Sequence, residues 1–156
     1  MKILIFALLT LSIQAFANEN LMIREGDGPF GHVTEEVIET SIQKMVENGA
    51  DNNLKYFEVI RKINHPKYPH SYLSAVLFYC NEKYQYSPYS NQNVFPGALY
   101  GVFKLPENSS LAFVWDYVCS KEQSPVLDFA NVTPRLKQIF DINNETAKMV
   151  KKKIGL

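Results

Sequence analysis

An excess of charge of either sign is what this chain most clearly lacks: sixteen Lys and Arg stand against sixteen Asp and Glu in 156 residues. Without a basic surplus, the electrostatic footprint of a nucleic-acid binder is missing. Cysteine is scarce as well, with Cys80 and Cys119 and no third thiol. No G-x-S-x-G, H-E-x-x-H or S-x-x-K occurs, so no recognised catalytic constellation argues for an enzyme. The glycines Gly26, Gly28 and Gly31 near the N-terminus follow no strand pattern and no lysine closes them, which removes a phosphate-binding loop. Beyond the first residues, no run approaches the roughly 20 apolar residues of a membrane-spanning helix.

The one long apolar run opens the chain. "MKILIFALLTLSIQAFA" has a single Lys2, an apolar stretch from Ile3 to about Ile13, and then Ala15-Phe16-Ala17. A short basic region, a hydrophobic region too short to span a bilayer and an A-x-A site read as an export signal cleaved after Ala17. No cysteine follows it, which argues against a lipoprotein anchor. The expected product is a periplasmic or secreted chain from Asn18 to Leu156, long enough for one domain with its own core. Lys2 leaves with the signal, so the mature chain is nearly neutral, with one excess negative charge.

In an oxidising compartment the lone cysteine pair reads as a disulfide, Cys80–Cys119. Closing that loop is worth about 4 kcal/mol on the chain-entropy account. Nothing nearby resembles a thiolate-stabilising pocket that would make either sulfur reactive.

The expected class is α+β: a small, mostly antiparallel sheet of three to four strands packed on one side by an N-terminal and a C-terminal helix. From Thr34, with Glu35 and Glu36 following, the residues Ile38, Ile42, Met45 and Val46 fall on one helical face, and Asn48-Gly49 ends it. "LKYFEVIRKI" (54–63) fits helix slightly better than strand. "SYLSAVLFYC" reads as a strand apolar on both faces. "GALYGVFKLP" and "SSLAFVWDYVCS" read as two strands of a hairpin, joined by a turn at Pro106–Ser109. The second helix is marked by Thr133 as cap, Pro134 at the first helical position, and lysines 148 and 151–153 at the carboxyl end, where they complement the helix dipole.

Two stretches carry candidate function. "NHPKYPHS" holds His65, Tyr68 and His70 between prolines; two histidines at this spacing are a weak metal signal, and turn chemistry explains the octet. "EKYQYSPYSNQNVFPG" places Tyr84, Tyr86, Tyr89 and Phe95 among Ser, Asn and Pro. Tyrosine offers contact area with two torsions to freeze and a hydroxyl that tolerates a wet rim, so the mixture fits a protein-recognition loop. The alternative is that these rings fold back over the sheet. Asp116, on the presumed apolar strand beside Trp115 and Tyr117, is the carboxylate expected to be partly buried, as a small-ligand or enzyme pocket there would require. No cofactor or metal is implied. The sequons at Asn108, Asn131 and Asn144 matter only in a eukaryotic source.

The order of elements resembles that of cystatin-type inhibitors: a glycine-bearing arm, a long helix, then strands and hairpins, over about Gly26 to Ser120. The resemblance implies a wedge that blocks a cysteine protease, made by the arm and the loops Asn64–His70 and Pro106–Ser109. It requires 54–63 to be a strand. "NHPKYPH" stands where the family has Q-x-V-x-G, and Trp115 does not follow a proline at a loop tip. Together these observations lead to an expected non-catalytic exported binding protein of the inhibitor, immunity or adaptor kind.

Overall fold

The computed structural model describes residues 20–87 and 101–155. Among the described residues, seven strands and two α-helices form an α+β fold around a curled sheet. The strands are β1 (Leu21–Gly28), β2 (Gly31–Glu47), β3 (Ala50–Asn64), β4 (His70–Tyr79), β5 (Tyr84–Ser87), β6 (Gly101–Lys104) and β7 (Val126–Asp128). The first six are antiparallel neighbours in chain order, and β7 pairs in parallel with β2 at Lys44–Val46. The helices are α1 (Ser110–Cys119) and α2 (Val132–Ile154).

The expected N-terminal helix is the strand β2, and the sheet is larger than three or four strands. Asn48 and Gly49 both take positive φ (51° and 79°), and Glu47 pairs with Ala50. That is a two-residue hairpin turn whose twist suits the flanking strands, not a helix stop. The arm before β2 is likewise a strand. The residues 54–63, matched by both periods, lie in β3 and pair with β4 from Leu54 to Ile63.

Alternation along β3 and β4 divides the core. Phe57 and Phe78 face one side, where Val37, Ile42, Leu105, Val114 and Val118 complete a buried cluster under α1. Tyr56 and Leu77 face the other, with Met45, Leu54 and Val132 under the start of α2. A helix therefore covers each face, which explains why β4 is apolar on both. The prediction of a strand over Ser110–Cys119 fails for the same reason. This segment is the helix that covers the α1 face, begun by Ser109, whose hydroxyl accepts the Ala112 N–H at 3.1 Å. Outward-facing Leu111 and Phe113 stay exposed. Pro106–Ser109 leads into α1 and joins no hairpin.

The disulfide is present and ties the end of β4 to the last residue of α1, with Cα atoms 5.4 Å apart. The two sulfurs meet because the second cysteine ends a helix over the sheet, not a third strand within it. The C-terminal helix is present too. Its cap lies at Asn131, two residues before Thr133, and Pro134 is its third residue. Two polar clips hold α2 to the sheet. Arg135 donates to both oxygens of buried Glu58, at 2.6 and 2.7 Å. Buried Asn143 donates to the Leu73 carbonyl (2.7 Å) and accepts the Leu73 N–H (2.9 Å). β5 pairs with β4 only over Leu77–Tyr79, so the Asn143 amide takes a strand neighbour's place at Leu73. Among the described residues, no helix is long and apolar enough to cross a membrane.

Candidate recognition surface

In the meander, hairpin connections alternate between the two ends of the sheet. The Asn48-Gly49 turn and the Cys80–Lys83 turn lie at one end. The Gly28–Gly31 turn and the 64–70 connection lie at the other, where His32 pairs with Asn64 and Ile63 with His70. β5 runs from its Tyr79–Tyr84 pair back along β4, so the chain leaves Ser87 heading for that second end.

The 64–70 connection is built from rings. His65 stacks on Tyr68 with centroids 3.5 Å apart and planes 14° from parallel. Tyr68 lies 6.3 Å from His70, which meets Tyr72 edge-on at 5.4 Å. Pro66 and Pro69 restrict the backbone that carries them. Hydrogen bonds set the imidazoles. The Lys67 N–H donates to His65 Nδ1 at 3.1 Å, a bond that requires the Nε2–H tautomer of His65. His70 Nδ1–H donates to the Tyr68 carbonyl at 2.9 Å, leaving Nε2 of neutral His70 as an acceptor. The four rings form a half-buried ladder held by stacking and by these hydrogen bonds.

A second tip abuts the first. Gly31 has φ +126°, and a Cβ there would sit 2.5 Å from the Asn64 carbonyl oxygen, so only glycine lets the β1–β2 turn approach this closely. Phe30 on that turn is 60% exposed. His32 follows, with Nδ1 3.0 Å from Asp27 and Nε2 3.0 Å from Glu25. Both ring nitrogens face carboxylates, an arrangement satisfied fully by the imidazolium, and hydrogen bonds to Asp27 and then Glu25 raise the His32 pKa above its ordinary value.

The structure thus brings His65, Tyr68 and His70 together and adds Tyr72 and Phe30, which the sequence reading did not single out. Tyr72 had a signal: it lies two residues after His70, on the same face of a strand. Tyr84 is elsewhere. It pairs with Tyr79 and Lys104 at the opposite end of β4, roughly 30 Å from His70 by strand rise. The Tyr86 backbone pairs with Leu77 and Val102. Tyr89 and Phe95 fall outside the described residues, as do residues 1–17.

On the α1 side, Asp116 is 61% exposed and 3.2 Å from Lys83, against the expected burial. The Trp115 indole donates to the Tyr79 carbonyl at 2.9 Å, with Lys83 5.0 Å from its ring centroid. Lys121 lies over Tyr117 and pairs with Glu39. These groups serve one another and the α1–sheet contact. Of the elements in the cystatin resemblance, the strand over 54–63 is present, and the helix expected from Thr34 is β2. Comparison with protein-family models, with curated proteins and with solved structures finds no match to this chain.

Proposed function

We propose that this is an exported, non-catalytic binding protein of the inhibitor, immunity or adaptor kind. Its partner is a protein, and it engages that partner through the aromatic end of the sheet. The observation that carries this reading is the ladder His65–Tyr68–His70–Tyr72 beside exposed Phe30. Aromatic groups so held lose little conformational entropy on binding and combine apolar area with hydrogen-bonding edges, which is the chemistry of interface hot spots. Export accords with the disulfide and with the N-terminal segment.

The test is capture from exported-protein extract by the mature, disulfide-intact chain, beside the double variant His65→Ser/Tyr68→Ser. The reading expects one stoichiometric partner held by the parent chain and lost by a variant that still unfolds cooperatively. A variant that captures the same partner equally well would refute it.

A further inference from the structure

The near-neutral composition hides a separation of charge along the molecule. At the aromatic end, the strand carboxylates Glu35 and Glu36 are paired with Arg61 and Lys62, while Glu25 and Asp27 share His32, whose single charge balances one of the two. Lys67, at the tip of the ring-bearing turn, is exposed and forms no ion pair among the described residues. The opposite end reverses this. Glu47 and Glu82 beside its two turns, Glu107 before α1 and Glu122 after it form no ion pair among the described residues, although Lys104 also lies there unpaired.

α2 adds to the contrast. Val132 packs with Tyr56 and Leu77, Arg135 reaches Glu58 opposite Ala75, and Asn143 reaches Leu73. Each step moves along β4 towards His70. The eleven residues after Asn143, up to Ile154, carry the axis about 16 Å further at 1.5 Å per residue. Lys151, Lys152 and Lys153 occupy that final turn, exposed and without ion pairs among the described residues.

We infer that the partner's contact face is acidic, a protein surface in which carboxylates surround the groups that meet the rings. This rests on the recognition reading above and specifies its partner. Opposed potentials speed encounter and orient the molecule, so an aromatic patch in a cationic setting selects an anionic counterpart. Nearby paired charges contribute little outward field, whereas the unpaired lysines act within about 10 Å at moderate salt.

The experiment uses the mature, disulfide-intact chain and two labelled peptides of alternating residues, Glu-Tyr and Gln-Tyr, with fluorescence anisotropy at low salt. The Glu-Tyr peptide binds about tenfold more tightly than the Gln-Tyr peptide, and added salt removes the difference. Lys151→Glu/Lys152→Glu/Lys153→Glu abolishes the preference; Glu82→Gln/Glu107→Gln at the far end retains it. Equal binding of the two peptides, or a preference surviving the lysine reversal, overturns the inference. So does binding of the chain to phosphatidylglycerol vesicles with neither peptide bound. In the capture assay, a partner lost on Tyr68→Ser but indifferent to lysine reversal overturns the acidic face alone. Capture indifferent to the rings overturns the recognition reading itself.

Discussion

Replacing Arg135 by Met tests how α2 is held to the sheet. Glu58 is only 5% exposed, and its carboxylate receives the Arg135 Nε and Nη2 groups at 2.6 and 2.7 Å and the Tyr56 hydroxyl at 2.7 Å. Burial alone pushes the Glu58 carboxyl up, but the Arg135 and Tyr56 hydrogen bonds outweigh it and hold the pKa below the ordinary value. The Tyr56 phenol, pushed up by burial and by Glu58, stays protonated and donates. Arg135→Met preserves the aliphatic stem and leaves a buried carboxylate with one donor. Removing one member of a buried pair costs roughly 3–5 kcal/mol. Arg135 is about a third exposed, which screens its end of the pair and sets the expectation near 3 kcal/mol.

The sign of the pH dependence follows. In the parent chain, Glu58's folded pKa is depressed, so its contribution is present above the unfolded value and fades as pH falls through the folded one. Without Arg135, burial is no longer outweighed and the folded pKa rises above the unfolded value. Protonation then relieves the variant, and its deficit shrinks as pH falls. Urea unfolding at pH 7 and pH 5, disulfide intact, measures both quantities. A loss below about 1 kcal/mol at pH 7, or one identical at pH 5, would refute the reasoning.

Three further outcomes are expected. Cys80→Ala/Cys119→Ala should lower stability by about 4 kcal/mol, since the bridge spans a sequence separation of 39, and denaturant titration measures it. Asn143→Ala should cost about 2–3 kcal/mol by unpairing the Leu73 N–H and carbonyl, and the Leu73 amide should exchange with solvent earlier than its β4 neighbours. The His32 pKa, raised by Asp27 and Glu25, should fall in Asp27→Asn when followed by NMR. With its folded pKa raised, His32 holds the β1–β2 tip below the ordinary histidine pKa, and that hold is lost as pH rises through the folded value.

How the chain writes its fold explains which parts could be read directly. The cysteine pair and α2 rest on strong local chemistry: an even thiol count, and a proline start with lysines at the other end. β4 was legible because its β-rich run is short and bounded. β2 was not, and its bulge shows why. Four residues lie between Ile38 and Gln43, where β3 has only Phe57 between their partners Glu58 and Tyr56. The bulge shifts the phase, so Val37 and Ile42 share the α1 face while Met45 joins the α2 face. That broken two-residue period imitates helical spacing. The Asn48-Gly49 pair was the better guide, as a hairpin signal. In α1, β-forming residues were overridden by the need to cover Phe57 and Phe78, and Ser109 as cap was the local clue. His65, Tyr68 and His70 were legible as a cluster because they are close in sequence. Phe30 joins them only through the sheet pairing and the Gly31 approach, which no local pattern encodes.

Amide hydrogen exchange of the chain alone and in complex with its captured partner tests the central claim most directly. The account predicts new protection at residues 28–32 and 64–72, with the Asn48-Gly49 and Cys80–Lys83 turns unchanged. Protection confined to that opposite end, or to the exposed face of α1 at Leu111 and Phe113, would contradict it.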